Sequence, residues 1–161
     1  MSRARRLADA LQEAYAASPW YGPALTTVLE GVPARRIAEH PVPGAHSIAE
    51  LLVHLAHWKD VVRRRLEGDP VPEANDLDWA ATDSAPPSLR TLRRRLDAAH
   101  DRLVSRVAAL SDAELDGRVA GNAMSREEIV HGVLQHDVYH AGQLALLLKA
   151  LTTTRVARRS P

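Results

Sequence analysis

The chain has 161 residues, 45% of them hydrophobic and 25% charged, which suits one globular domain with a single core. Lysine and arginine total 21 against 20 for aspartate and glutamate, so the net charge of +1 gives no reason to expect a nucleic-acid partner. The lack of cysteine excludes disulfides, thiolate zinc sites and a cysteine nucleophile. Because there is no apolar leader and no apolar run of membrane-spanning length, we expect a cytoplasmic protein without a membrane partner.

In the first third of the chain, the pattern of apolar residues, proline and glycine predicts one long helix and one short helix. Apolar residues at helical spacing predict a first long helix over residues 3–17. Ser18-Pro19 should break or kink it, since proline lacks a backbone donor and clashes with the preceding turn. A short helix is expected over residues 23–30, and Gly31 suits its C-cap.

Three further long helices follow. The second begins at Ser47-Ile-Ala-Glu50, which has the capping-box pattern, and should end near Gly68. The third is expected over residues 88–110, where leucine, valine and alanine recur at threes and fours. The fourth opens on a second capping box, Ser125-Arg-Glu-Glu128, and continues to about residue 151. The pattern predicts an all-α, four-helix bundle in a single domain of residues 1–154, followed by a basic, solvated tail over 155–161.

The link between the second and third long helices, residues 68–87, is rich in proline, aspartate and glutamate and carries Trp79. It is longer than two adjacent antiparallel helices need. A long crossover would make these two helices parallel neighbours. A flexible insertion is the alternative interpretation.

The chain has eight histidines, and their positions on the helical wheel separate them. His136 and His140 fall in the middle of the apolar stripe of the fourth long helix, one turn apart, whereas His131 falls on the opposite side. His54 lies at the edge of the apolar stripe of the second long helix, and His57 lies further round on the polar side. His54, His136 and His140 are therefore the candidates for one site.

Three imidazoles from two facing helices suit zinc, nickel, cobalt or iron(II) and leave coordination positions open for water or substrate. The alternative is a set of core histidines that hydrogen-bond to one another or to backbone carbonyls. His136-Asp-Val-Tyr-His140 also resembles the HExxH helix of zinc proteases with aspartate in place of glutamate. Aspartate is shorter and no third ligand follows nearby, which disfavours a protease.

Weaker candidates surround these histidines. Glu50 lies one turn before His54, where it could be a general base or a hydrogen-bond partner of the site, although its place in the capping box is the favoured explanation. Trp58 and Tyr139 could line a cofactor or substrate pocket beside the metal, or could simply pack in the core.

The segment from His46 to Trp58, together with Gln135-His136-Asp-Val-Tyr-His140-Ala-Gly-Gln143, resembles the DinB family and its YfiT-like relatives. The resemblance extends to Trp20-Tyr-Gly-Pro23 and to the long crossover. It implies an up-down-down-up bundle, commonly a homodimer, with a divalent metal held by three histidines. Residue by residue, those ligands are His54, His136 and His140, and Gln143 matches the end of the family's last motif. Relatives often carry histidine where this chain has Tyr21, so no catalytic role is assigned there.

The resemblance favours an enzyme acting on a small molecule. The superfamily includes proteins classed as metal-dependent hydrolases and enzymes that use low-molecular-weight thiols, such as bacillithiol transferases and mycothiol-dependent isomerases. Either a hydrolase or a thiol S-transferase is compatible with a chain that lacks cysteine, because the thiol would come from a cosubstrate. The alternative is a non-enzymatic stress-response or binding module with a structural or sensing metal.

Overall fold

The computed structural model describes residues 1–69, 71, 79, 87–119 and 122–157. Within these ranges the chain forms helices and no β-strand, with one isolated bridge between Arg118 and Ser125, so the all-α prediction is confirmed. The α-helices are α1 (Arg3–Ala16), α2 (Leu25–Glu30), α3 (Ile48–Leu66), α4 (Leu89–Ala108), α5 (Asp112–Asp116) and α6 (Arg126–Ala157). The four predicted long helices are α1, α3, α4 and α6. In these ranges no helix is both long and apolar enough to cross a membrane.

Capping boxes set where α3 and α6 begin. Ser47 Oγ accepts from the Glu50 backbone N–H at 3.2 Å, and the Glu50 carboxylate accepts from the Ser47 N–H at 2.6 Å. Ser125 and Glu128 make the same two bonds at 3.1 and 2.7 Å. A cap of this kind stabilises a helix start by about 1 kcal/mol. The short α5, which opens on a third capping box at Ser111, was not predicted from the sequence.

Contacts along α3 and α4 show that these helices run parallel. Lys59 Nζ lies 3.3 Å from His100 Nδ1, Arg102 contacts both carboxylate oxygens of Asp60 at 3.1 Å, and Arg106 donates to the Leu66 carbonyl. Residue numbers rise together in these three contacts, as the crossover interpretation requires. Of the link itself, residues 70, 72–78 and 80–86 lie outside the described part of the chain.

α1 and α6 complete the four-helix bundle. α1 runs parallel to α6, because Arg3 pairs with Glu127 near the start of both helices while Glu13 and Gln135 line one cavity further along. α1 runs antiparallel to α4, since Gln12 contacts His100 and Tyr15, one turn later, donates to Asp97. These directions are those of an up-down-down-up bundle. α6 continues past the predicted end at 151 and into the predicted tail, of which residues 158–161 lie outside the described ranges.

The core consists of two apolar clusters with a polar layer between them. One cluster joins α2 and the first halves of α3 and α4 to the last half of α6. The other joins α1, α5 and the second halves of α3 and α4 to the first half of α6. The clusters meet around Lys59, His100 and Asp137, which are buried although polar. The candidate histidines of α3 and α6 lie at this same level of the bundle.

Candidate metal centre

α3 and α6 bring the three candidate histidines together. His54 Nε2 lies 2.9 Å from His136 Nε2, and His140 Nε2 lies 3.1 Å from the same atom. One nitrogen from each ring can be chosen so that all three lie within 4.8 Å of one another. His54 and His140 are each only 4% exposed, and His136 is half-buried. The predicted grouping of these three residues is therefore confirmed.

The donor set fits a divalent transition metal. Two nitrogens bound to one ion at ~2.0–2.1 Å and separated by an angle near 90–110° lie about 3 Å apart, which agrees with 2.9 and 3.1 Å. Three imidazoles are the ligand type that zinc, nickel, cobalt and iron(II) accept. Converging Nε2 lone pairs repel one another unless a proton or a metal lies between them, and a bound cation would accept all three lone pairs.

Gln143 fixes the ring of His140. The Nδ1–H of His140 donates to Gln143 Oε1 at 2.7 Å, and this bond leaves the lone pair on Nε2, which faces the other two histidines. Gln143 lies three residues further along α6, where helical geometry places it beside His140. Gln143 thus lies beside the three-histidine group through its contact with His140.

Two tryptophan rings surround the histidines. Trp58, one turn after His54 on α3, lies edge-on to His54 at 6.4 Å and tilted to His136 at 6.2 Å between ring centroids. Trp79 stacks flat on His54 at 3.9 Å and flat on His46 at 3.5 Å, so its indole lies between two imidazoles. Sequence reasoning gave Trp79 no role, because its position depends on the path of the crossover.

Glu50 and Tyr139, the remaining candidates, make other contacts. The carboxylate of Glu50 bonds to Ser47 and to His40 Nε2 at 2.9 Å, and these hydrogen bonds lower its pKa despite partial burial. Tyr139 is 64% exposed, with its ring edge-on to His140 at 5.0 Å. It lines a 490 Å³ cavity between α1 and α6 rather than the one beside Trp58. A catalytic role for Glu50 and a pocket role for Tyr139 stay predictions.

Asp137 does not take the place of the protease glutamate. Its side chain is 2% exposed and pairs with the ammonium of Lys59, which is fully buried. Burial raises the pKa of Asp137, and the adjacent ammonium opposes that rise. Lys59 also faces His100, whose pKa is lowered to about 3 by burial and by the lysine charge. The aspartate of the HDVYH segment thus belongs to the core, which removes the resemblance to zinc proteases.

A cavity of 350 Å³ opens next to the histidines. It is bounded by α3, α6 and the segment before α6, and both Trp58 and His136 line it. The residues that line it come from one face of α3, one face of α6 and the segment before α6, and they are Trp58, Val62, Arg65, Asn122, Met124, Ile129, Gly132, Val133 and His136. Trp58 lies in the wall of this cavity, and its role in binding a cofactor or substrate stays a prediction.

The all-α bundle and its three-histidine cluster are compatible with a metal-binding helical protein, and the family comparison narrows the class of protein further. The family model of the DinB superfamily matches residues 22–144, a range that includes all three histidines. The chain belongs to the DinB superfamily. A comparison with curated proteins gives no match.

Proposed function

We propose that this protein is a divalent-metal-dependent enzyme that acts on a small molecule through His54, His136 and His140. The convergence of three Nε2 atoms from two helices carries the proposal, since three ligands leave coordination positions for other molecules. A zinc, nickel, cobalt or iron(II) ion held there would lower the pKa of a water or thiol and polarise a substrate.

The surrounding residues of the chain support this role. Gln143 holds His140 in the tautomer whose Nε2 can be a ligand. Trp79 covers one face of His54 and excludes water from it, which strengthens electrostatic interactions at the site. The 350 Å³ cavity beside His136 has the size of a small-molecule pocket. The reaction proposed is hydrolysis or transfer of a low-molecular-weight thiol.

Turnover by metal-loaded protein tests the proposal. We expect one of three substrate panels (esters, amides, or electrophiles with an added thiol) to show metal-dependent turnover by the wild-type chain. His136→Ala should abolish it, because a ligand is lost. His131→Ala changes an exposed histidine of the same helix and should retain activity. Equal rates for wild type and His136→Ala on every panel would contradict an enzymatic function.

A structural or sensing metal is the second candidate function, and one observation favours it. Trp79 belongs to the crossover and stacks on His54, so a ligand of the site is coupled to a connecting segment. If metal removal changes tryptophan fluorescence and lowers the melting temperature, while no panel shows turnover, this second function is supported instead. The homodimer expected from the resemblance stays a prediction.

A further inference from the structure

The cavity beside His136 has a cationic side chain in its wall. Arg65 is 5% exposed and lines the cavity, and its guanidinium carbon lies 6.0 Å from the centroid of the Trp58 ring. Its Nε and Nη2 donate to one backbone carbonyl, that of Val71, at 3.2 and 3.1 Å. Among the residues that the structure describes, no carboxylate forms an ion pair with Arg65.

Arg65 retains N–H donors with which it could bind a ligand. A guanidinium carries five N–H donors in a fork that matches the two oxygens of a carboxylate, and two of the five are used by Val71. Taking an arginine out of water without a counter-charge is costly, so a buried arginine favours an anionic partner. A ligand carboxylate reaching this end of the cavity would supply that partner.

The rest of the cavity wall is largely apolar. Val62 of α3 and Ile129 and Val133 of α6 face it, and all three are buried. Met124 lies at the more exposed side, with a thioether side chain that adapts to ligands of different shape. These residues suit a ligand whose carboxylate is attached to a hydrocarbon body.

Gly132 keeps the α6 side of this cavity open. Glycine is a poor helix former, and Gly132 lies inside α6 between Ile129 and His136. A Cβ built at Gly132 meets no heavy atom within 4 Å, so a larger side chain would grow into free space without displacing the backbone. The position therefore offers a way to fill the cavity while the helix stays intact.

We infer that the cavity binds a small carboxylate with an apolar body, its carboxylate on Arg65 and its body between α3 and α6 toward His136. This inference rests on the proposed function in one respect: the bound carboxylate would be the substrate of the metal site. Arg65 then determines the charge of the substrate and Gly132 its size, and neither residue is a metal ligand.

The test uses two probes of the same shape, 4-phenylbutanoate and 4-phenylbutanamide, titrated into the full chain and followed by NMR line shifts. Metal-free and zinc-loaded protein are compared, because a bound metal also attracts carboxylates. In metal-free wild type we expect the carboxylate to bind about 10-fold more tightly than the amide. Arg65→Met, which keeps the aliphatic stem and loses the charge, should remove that preference and leave amide binding unchanged.

Gly132→Leu should weaken both probes by about 10-fold or more, because its side chain occupies the cavity. Gly142→Leu is the matched control, since Gly142 is also on α6, also has free space around its Cβ and does not line the cavity. It should leave both affinities unchanged, and it keeps the test decisive if Arg65→Met does not fold. The inference is overturned if the metal-free chain binds both probes equally or neither, or if the two leucine variants behave alike. A chain that binds the carboxylate but no metal would contradict the proposed function alone.

Discussion

Consecutive residues of α6 enter two different polar environments. His136 joins His54 and His140, so groups of the same kind converge and none of them neutralises another. Asp137 pairs with Lys59, so opposite charges meet and satisfy each other. The burial of polar groups alone therefore does not indicate function. Opposite charges such as those of Lys59 and Asp137 satisfy each other inside the bundle. Imidazole nitrogens that point at one another, as in the three-histidine group, leave room for a cation between them.

Breaking the ion pair between Lys59 and Asp137 should have the largest effect, and this effect is on stability. Lys59→Met leaves the Asp137 carboxylate buried without its counter-charge, and we expect the free energy of unfolding to fall by about 3–5 kcal/mol. The double variant Lys59→Met/Asp137→Leu should recover most of this loss, because no charge is then buried alone. Urea denaturation of metal-free protein measures both values. A double variant as unstable as the sum of its two single variants would show that the pair is not coupled.

Removing the hydrogen bond that orients the His140 ring should reduce metal affinity. In free energy this effect is expected to be smaller than the loss of the Lys59–Asp137 ion pair. Gln143→Leu removes the acceptor of the Nδ1–H bond, and we expect metal affinity to fall by about 10–100-fold. Competition with a chromophoric chelator gives the dissociation constant. Gln135→Leu is the control, as Gln135 is exposed on the same helix. Equal affinities for Gln143→Leu and wild type would mean that this bond does not orient the ligand.

The smallest expected effect is on the pH dependence of the free energy of unfolding. It comes from His100, which lies beside Lys59 of the ion pair. The pKa of His100 is about 3 in the folded chain and 6.5 as its ordinary value. Between these values the unfolded chain binds more protons, so the free energy of unfolding decreases as pH falls. From pH 6.5 to 5.5 this contribution is about 1 kcal/mol. In metal-free protein, His100→Gln should therefore lose less stability over this interval than wild type.

The control for this pH measurement is His131→Gln, which replaces an exposed histidine of α6 and should follow the wild-type curve. If His100→Gln also follows the wild-type curve, the burial of a neutral imidazole at position 100 does not contribute to the acid sensitivity of the fold.

The sequence was sufficient to predict the three-histidine group because capping boxes and apolar stripes determine helix phase. Ser47 and Ser125 mark the starts of α3 and α6, and the phase of each helix then places His54, His136 and His140 on facing sides. The same reasoning correctly placed His131 in solvent.

The buried ion pair was missed, although the signal was available. Lys59 lies between Leu55 and Val62 in the apolar stripe of α3, where a charged residue needs a buried partner. Asp137 follows Val133 by one turn in the stripe of α6. A search for charged residues inside apolar stripes, and not only for histidines, would have identified both.

The cavity and the Trp79 stack could not be predicted in this way. Trp79 lies in the crossover, and Asn122 and Met124 precede α6 outside any helix. Helical periodicity gives no position for such residues, because their place depends on how connecting segments pack against the finished bundle. Arg65 is on a helix, but the carbonyl that accepts its hydrogen bonds is that of Val71, in the same crossover.

The metal content of protein purified without an affinity tag tests the central claim most directly. We expect about one equivalent of a divalent transition metal per chain, either on purification or after titration, and less than about a tenth of an equivalent in His136→Ala. His131→Ala should retain the wild-type content. If wild-type protein holds less than about a tenth of an equivalent and takes up none on titration, the three histidines are a hydrogen-bonded core cluster and not a metal site.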